Sequence, residues 1–98
     1  MTIFCVDIDG VICNNEGLYQ DRVPNEAAIA RVNRLYDEGH TILMFTGRGS
    51  RTKIDWRELT EKQLKEWGVK HHELIMGKPH ADWFIDDRAI NVRDWLEQ

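Results

Sequence analysis

The sequence predicts an α/β fold built on a mostly parallel sheet. Short apolar, β-rich runs alternate with helix-patterned stretches in the order strand, helix, strand, helix, strand, turn, strand, helix. The runs are continuously apolar rather than alternating, as suits strands of a parallel sheet buried on both faces. Three of the four also end on polar or ionisable residues, which puts the chemistry at the carboxyl ends of the strands.

Residues 2 to 8, TIFCVDI, form the first strand. Residues 9 to 22 are mostly polar, with Gly10, Asn14, Asn15 and Gly17, and read as a loop or small flap. Pro24 stands where a first helical residue is expected. Ala28, Ile29, Val32, Leu35 and Tyr36 recur at helical spacing until Gly39, which gives an amphipathic helix over 24–38. TILMF (41–45) is the second strand, and the polar loop TGRGSRTKI follows it. Asp55 and Glu58 form a capping pattern for a helix running through Trp67, with Trp56, Leu59, Gln63 and Trp67 on one face and Gly68 after it. HELIM (72–76) is the third strand, GKPHAD a turn, WFID (83–86) the fourth strand, and 88–97 the last helix, with Ile90, Val92, Trp95 and Leu96 as its apolar positions. Right-handed crossovers place the first strand centrally, with the second and third to one side, and a fourth strand landing on its other side gives the expected order 3-2-1-4.

At 98 residues, with 42% hydrophobic content and four Trp, residues 1–98 are expected to form a single domain with one core. A net charge of −4 gives no overall field toward nucleic acid or an anionic membrane, so neither is an expected partner. The start MTIFCVDIDG lacks the basic region of a signal peptide. No stretch reaches the roughly 20 apolar residues of a membrane span. Two cysteines, Cys5 and Cys13, are too few for a disulfide framework, and the expectation is a cytoplasmic, reduced protein.

The chemistry starts from an anomaly. In CVDIDGVIC, Asp7 and Asp9 interrupt an apolar run, and carboxylates are rarely buried unless paired or metal-bound. The second strand ends on Thr46-Gly47-Arg48, the fourth on Asp86-Asp87, and Lys78 precedes the fourth strand in GKP. Carboxylates gathered around one crevice repel one another unless a hard cation neutralises them, and oxygen donors suit Mg²⁺. The implied ligand is a phosphate, held between metal, lysine and loop N–H groups such as that of Gly47. One aspartate can attack phosphorus while a second, two residues on, protonates the leaving oxygen and later activates water. Gly10 lets the chain turn so that both reach one phosphate.

These residues resemble the haloacid dehalogenase-like superfamily of aspartate-nucleophile phosphatases. DIDG matches that family's first motif, Thr46 in FTGR the second, Lys78 the third and Asp86-Asp87 the acidic fourth, across nearly the whole chain and in order. The resemblance implies a Rossmann-like three-layer sandwich and an enzyme, a Mg²⁺-dependent phosphoric monoester hydrolase working through an aspartyl-phosphate. It implies Asp7 as nucleophile and metal ligand, and Asp9 as general acid/base that lends its backbone carbonyl to the metal. Thr46 and Lys78 would bind the phosphoryl group, Asp87 would meet the metal, and Asp86 would partner Lys78 or metal-bound water. Residues 10–23 and 47–76 leave no room for a cap domain, so the chain resembles a capless member, whose relatives accept large substrates or close their sites by oligomerising. The stretch from Thr46 to Val92 is similar to small bacterial proteins of capsule and surface-sugar biosynthesis, which points to a phosphorylated sugar.

Simpler roles exist for several of these residues. Asp86 or Asp87 can cap the last helix, and Arg48 and Arg51, with Lys53 and Arg57, form either a second anion grip or a solvated basic loop. His71, His72 and His80 with the two cysteines match no zinc-site spacing. The alternative function is a non-catalytic phosphate- or metal-binding module, or a phospho-acceptor domain. A homo-oligomer is compatible with an open site and several large aromatics.

Overall fold

Apolar and β-branched residues carry the chain into β1 (Ile3–Asp7), β2 (Thr41–Thr46) and β3 (Glu73–Met76). The computed structural model describes residues 1–98. All three strands are parallel and adjacent in chain order, Ile3 opposite Thr41 and Leu43 opposite Glu73, so β1 and β3 are the two edges. The register lines up Asp7 with Phe45 and Thr46 with Met76, so the three carboxyl ends share one rim.

Two helices make the crossovers. In α1 (Glu26–Asp37) the Asn25 side chain caps the start by accepting from the Ala28 N–H at 3.2 Å. Pro24 therefore lies two residues before the helix rather than at its first position. Ala28, Ile29 and Val32 are its buried stripe, and Gly39, at φ +95°, takes the left-handed turn into β2. In α2 (Arg57–Glu66) Asp55 accepts from the Arg57 N–H at 3.0 Å, while Thr60, Gln63 and Leu64 are buried. The buried stripe is thus one residue round from the expected one: Gln63 is shared, but Leu64 and Thr60 replace Trp56 and Leu59 as the most enclosed positions.

The core lies on one face of the sheet only. Val6, Ile42, Met44 and Leu74 point into it and meet Ile8, Ile12, Ala28, Ile29, Val32 and Leu64. On the other face Ile3 and Cys5 are exposed, and Leu43, Phe45 and Ile75 are half-buried. Topology explains this asymmetry. Two successive right-handed crossovers in the same direction put both helices on the same side. The chain is therefore a two-layer α/β unit, and no third layer is formed.

The C-terminal quarter also differs from expectation. WFID (83–86) forms no strand, and every residue from 79 to 91 is exposed. β-propensity reflects a fit to a half-buried pleated surface, and here no ladder receives the run. The sheet accordingly has three strands in the order 3-2-1. The last helix, α3 (Val92–Leu96), is shorter than the expected 88–97 and is capped by Asn91, which accepts from the Arg93 N–H. Trp95 and Leu96 tie it back to the core, with the Arg31 guanidinium 5.3 Å from the Trp95 ring. No helix is long and apolar enough to cross a membrane.

Candidate active site

Three residues far apart in sequence meet at the carboxyl rim. Lys78 Nζ donates to Asp7 Oδ2 at 2.9 Å. The Lys78 backbone N–H donates to the Thr46 carbonyl at 3.0 Å, and the Lys78 carbonyl accepts from Ser50 Oγ at 2.6 Å. The lysine is thus fixed by main-chain bonds on both sides before its side chain reaches the aspartate. Gly47 eases this approach, since a Cβ there would stand a tight 3.1 Å from the Lys78 carbonyl oxygen. Asp7 Oδ1 also accepts from the Ile8 N–H at 2.8 Å. Thr46 is fully buried, and its hydroxyl accepts from the Arg48 N–H at 3.1 Å.

After β1 the chain folds tightly. The Ile8 carbonyl accepts from Val11, Ile12 and Cys13, while Gly10, at φ +89°, reverses direction. Asp9 thereby faces a pair of guanidinium groups. Arg48 binds it in bidentate fashion, Nε to Oδ2 at 2.9 Å and Nη2 to Oδ1 at 2.8 Å, and Arg22 Nη1 adds a bond to Oδ1 at 3.0 Å. Charge-assisted, two-pronged pairs of this kind are the strong and orienting ones.

Arg48 is not available as a substrate contact. Its side chain is fully buried, and its remaining Nη1 donates to Thr60 Oγ1 at 3.2 Å and Gln63 Oε1 at 2.5 Å. Gln63 Nε2 passes the chain of bonds to the Tyr19 carbonyl at 2.6 Å, and Thr60 donates to the Trp56 carbonyl. The Tyr19 ring lies 4.7 Å from the Arg48 guanidinium and 4.9 Å from that of Arg22. No buried side-chain polar atom lacks a partner. Sequence reasoning missed Arg22, Thr60 and Tyr19 entirely. The one usable signal was Gln63, a polar residue on the core stripe of a helix.

The other sequence-derived residues stand apart. Arg51 is exposed in the loop after β2. Asp86 and Asp87 are exposed, Asp86 accepting only from the Arg88 N–H at 2.8 Å, and they form no group of three or more ligating side chains with Asp7 and Asp9. The cysteines are held as thiols. Burial, reinforced by the Asp9 carboxylate 3.4 Å away, pushes Cys13 up to about 12. Cys5 is raised as well, by desolvation first, although much of the residue is exposed and Lys78 opposes the shift. Neither is poised as a nucleophile. A hollow of about 570 Å³ lies beside the loop at Gly10, Asn14 and Asn25, and one of about 380 Å³ between Ile29 and Trp67. Asp7 lines neither of them.

A small α/β unit with an open parallel sheet and an aspartate–lysine pair at its carboxyl rim is what the fold and site define. No family model and no curated protein matches the chain. Among solved structures, a crystal structure of a Vibrio cholerae protein aligns with a TM-score of 0.90 at 24% identity, covering 100% of this chain and 89% of that one. A chain of a Pnkp1/Rnl/Hen1 complex aligns with a TM-score of 0.60 at 22% identity, covering 88% of this chain but 30% of that one. At these identities the likeness is one of fold.

Proposed function

We propose that the protein is a phosphomonoester hydrolase of the haloacid dehalogenase-like kind, dependent on Mg²⁺ and working through an aspartyl-phosphate on Asp7. The observation that carries this reading is the convergence of Asp7, Thr46 and Lys78 on one rim, with the lysine ammonium 2.9 Å from Asp7 Oδ2. The finer topology belongs to the same proposal: a fourth strand beside β1, giving the order 3-2-1-4 of a Rossmann-like, capless sheet.

The donor set fits a hard cation, because it consists of oxygen: the Asp7 carboxylate, the Asp9 backbone carbonyl, and a carboxylate from Asp86-Asp87 once that segment is in place. Bound there, Mg²⁺ would offset the charge of a phosphate dianion facing a carboxylate. Asp7 attacks phosphorus as the bond to the leaving oxygen breaks. Asp9 gives that oxygen a proton, then takes one from the water that attacks the acyl phosphate and regenerates Asp7. Within Asp9, Oδ2 is the atom for this exchange, since it accepts only from Arg48 Nε whereas Oδ1 serves both arginines. Lys78 and the N–H of Gly47 hold the phosphoryl oxygens, and Thr46 fixes the end of β2 from which both are suspended. An open rim admits a phosphorylated sugar or a larger phosphorylated substrate.

The Arg22–Arg48 clamp on Asp9 favours one other reading, a non-catalytic phosphate- or metal-binding module in which Asp9 is structural. Release of phosphate from an aryl phosphate with Mg²⁺, compared with Asp7→Asn, separates the two. Turnover that is lost in the variant and abolished by a chelator supports the hydrolase. A stable acyl phosphate without turnover supports a phospho-acceptor domain, and the absence of both supports the binding module.

A further inference from the structure

One segment of this chain and one edge of its sheet are both unpartnered, and they are complementary. Residues 79–90 make no backbone–backbone hydrogen bond. They nonetheless carry large apolar side chains into solvent, with Trp83 85%, Phe84 52%, Ile85 99% and Ile90 50% exposed. A stretch with this composition whose backbone pairs with nothing is an interaction surface rather than ordinary loop. The receiving surface is the free edge of β1 and the bare sheet face beside it, where Ile3 is 66% exposed and Cys5 is open. An unpaired edge strand is a ready template for another chain.

We infer that residues 79–91 form an exchange arm, so that in a two-fold dimer the WFID segment of each copy adds as the fourth strand to β1 of the other. This deepens the reading above and rests on it in one respect: the arm carries Asp86-Asp87 to the rim where Asp7 stands. Within one chain the site is incomplete, because those carboxylates stand apart from Asp7 and Asp9. The occupant is a second copy because the edge and the strand it lacks are encoded together, and a symmetric exchange satisfies both copies at once in a closed, isologous pair. The hinge is well defined. Lys78 is pinned to Thr46 and Ser50, so the arm starts at the rim, and of its large apolar side chains Phe84 alone turns back there, its ring 4.4 Å from the Lys78 ammonium. Large aromatics bury roughly 150–250 Å² each, so two arms and the surfaces that receive them reach the roughly 1,200–2,000 Å² of a specific interface.

Two measurements on the full chain test this. In sedimentation velocity the wild type runs with the mass of two chains, and the Trp83→Asp/Ile85→Asp variant runs as one chain with an unchanged circular dichroism spectrum. Because both residues are exposed, the variant keeps the core intact. A monomeric wild type, or a variant that still dimerises, overturns the proposal. The second test co-expresses two inactive variants, Asp7→Asn and Asp86→Asn/Asp87→Asn. In mixed dimers one site receives a native Asp7 and a native partner arm, so about a quarter of wild-type turnover returns, as random pairing requires. An active wild type with no complementation means that the arm serves its own chain and refutes exchange. If the wild type hydrolyses nothing, the hydrolase reading fails, and sedimentation alone decides the arm.

Discussion

Replacing Arg48 by methionine withdraws a fully buried guanidinium that joins the loop after β1 to α2. The substitution keeps an unbranched apolar stem but strips the two bonds to Asp9 and those to Thr60 Oγ1 and Gln63 Oε1. Asp9 retains Arg22, and Thr60 still donates to Trp56, so the stranded groups are Gln63 Oε1 and one half of the Asp9 carboxylate. Breaking a buried pair by removing one partner destabilises by about 3–5 kcal/mol. For a domain of this size that lowers the melting temperature by at least ~12 °C. Urea denaturation followed by tryptophan fluorescence measures the change, and a cycle with Asp9→Asn isolates the pair. Asp9→Asn with Arg48→Met should be less damaging than the sum of the single changes by about 1–3 kcal/mol. An Arg48→Met protein within about 0.5 kcal/mol of wild type would refute the argument, because that is the range of a surface substitution.

Lys78→Met should separate function from stability: its ion pair with Asp7 is partly exposed, so stability changes by no more than about 1 kcal/mol, while phosphate release falls by about 10²-fold or more. Cys13, raised by burial, binds its proton in the folded chain at pH values where the unfolded thiol has lost it. Its contribution is complete below the unfolded value of 9.0 and is lost as pH rises toward about 12, at up to about 1.4 kcal/mol per pH unit. Denaturation midpoints at pH 8 and roughly pH 10.5, compared with those of Cys13→Ala, check this, and a wild-type midpoint that does not fall relative to the variant would count against it. In Gly49→Ala the new Cβ would run into the Ile54 carbonyl oxygen from a backbone at φ +81°. A loss of about 1–3 kcal/mol is expected on thermal unfolding.

How much of this was legible depends on the range of the interactions involved. β1, β2, β3 and α1 were readable because apolar period and glycine punctuation are local, and Gly39 and Gly10 do take the positive φ that their positions suggested. The meeting of Asp7, Thr46 and Lys78 was readable because parallel strands bring their carboxyl ends to one rim whatever the details. The clamp on Asp9 was not. Arg22, Arg48 and Gln63 belong to three separate elements, and nothing local distinguishes a buried arginine in TGRGS from a solvated one. WFID failed for the opposite reason. Its composition favours a strand, but a strand exists only where another backbone receives it, and the free edge of β1 does not pair with this run.

The ion pairs at the rim have a further consequence. Asp7 and Asp9 face three cations from the chain itself, Lys78 on the first and Arg48 and Arg22 on the second. A carboxylate held at the rim without a counter-charge would oppose folding. Here each carboxylate already has its counter-charge within the chain. Were Mg²⁺ to load there as proposed, it would do so by a local exchange of counter-charge instead of a refolding event.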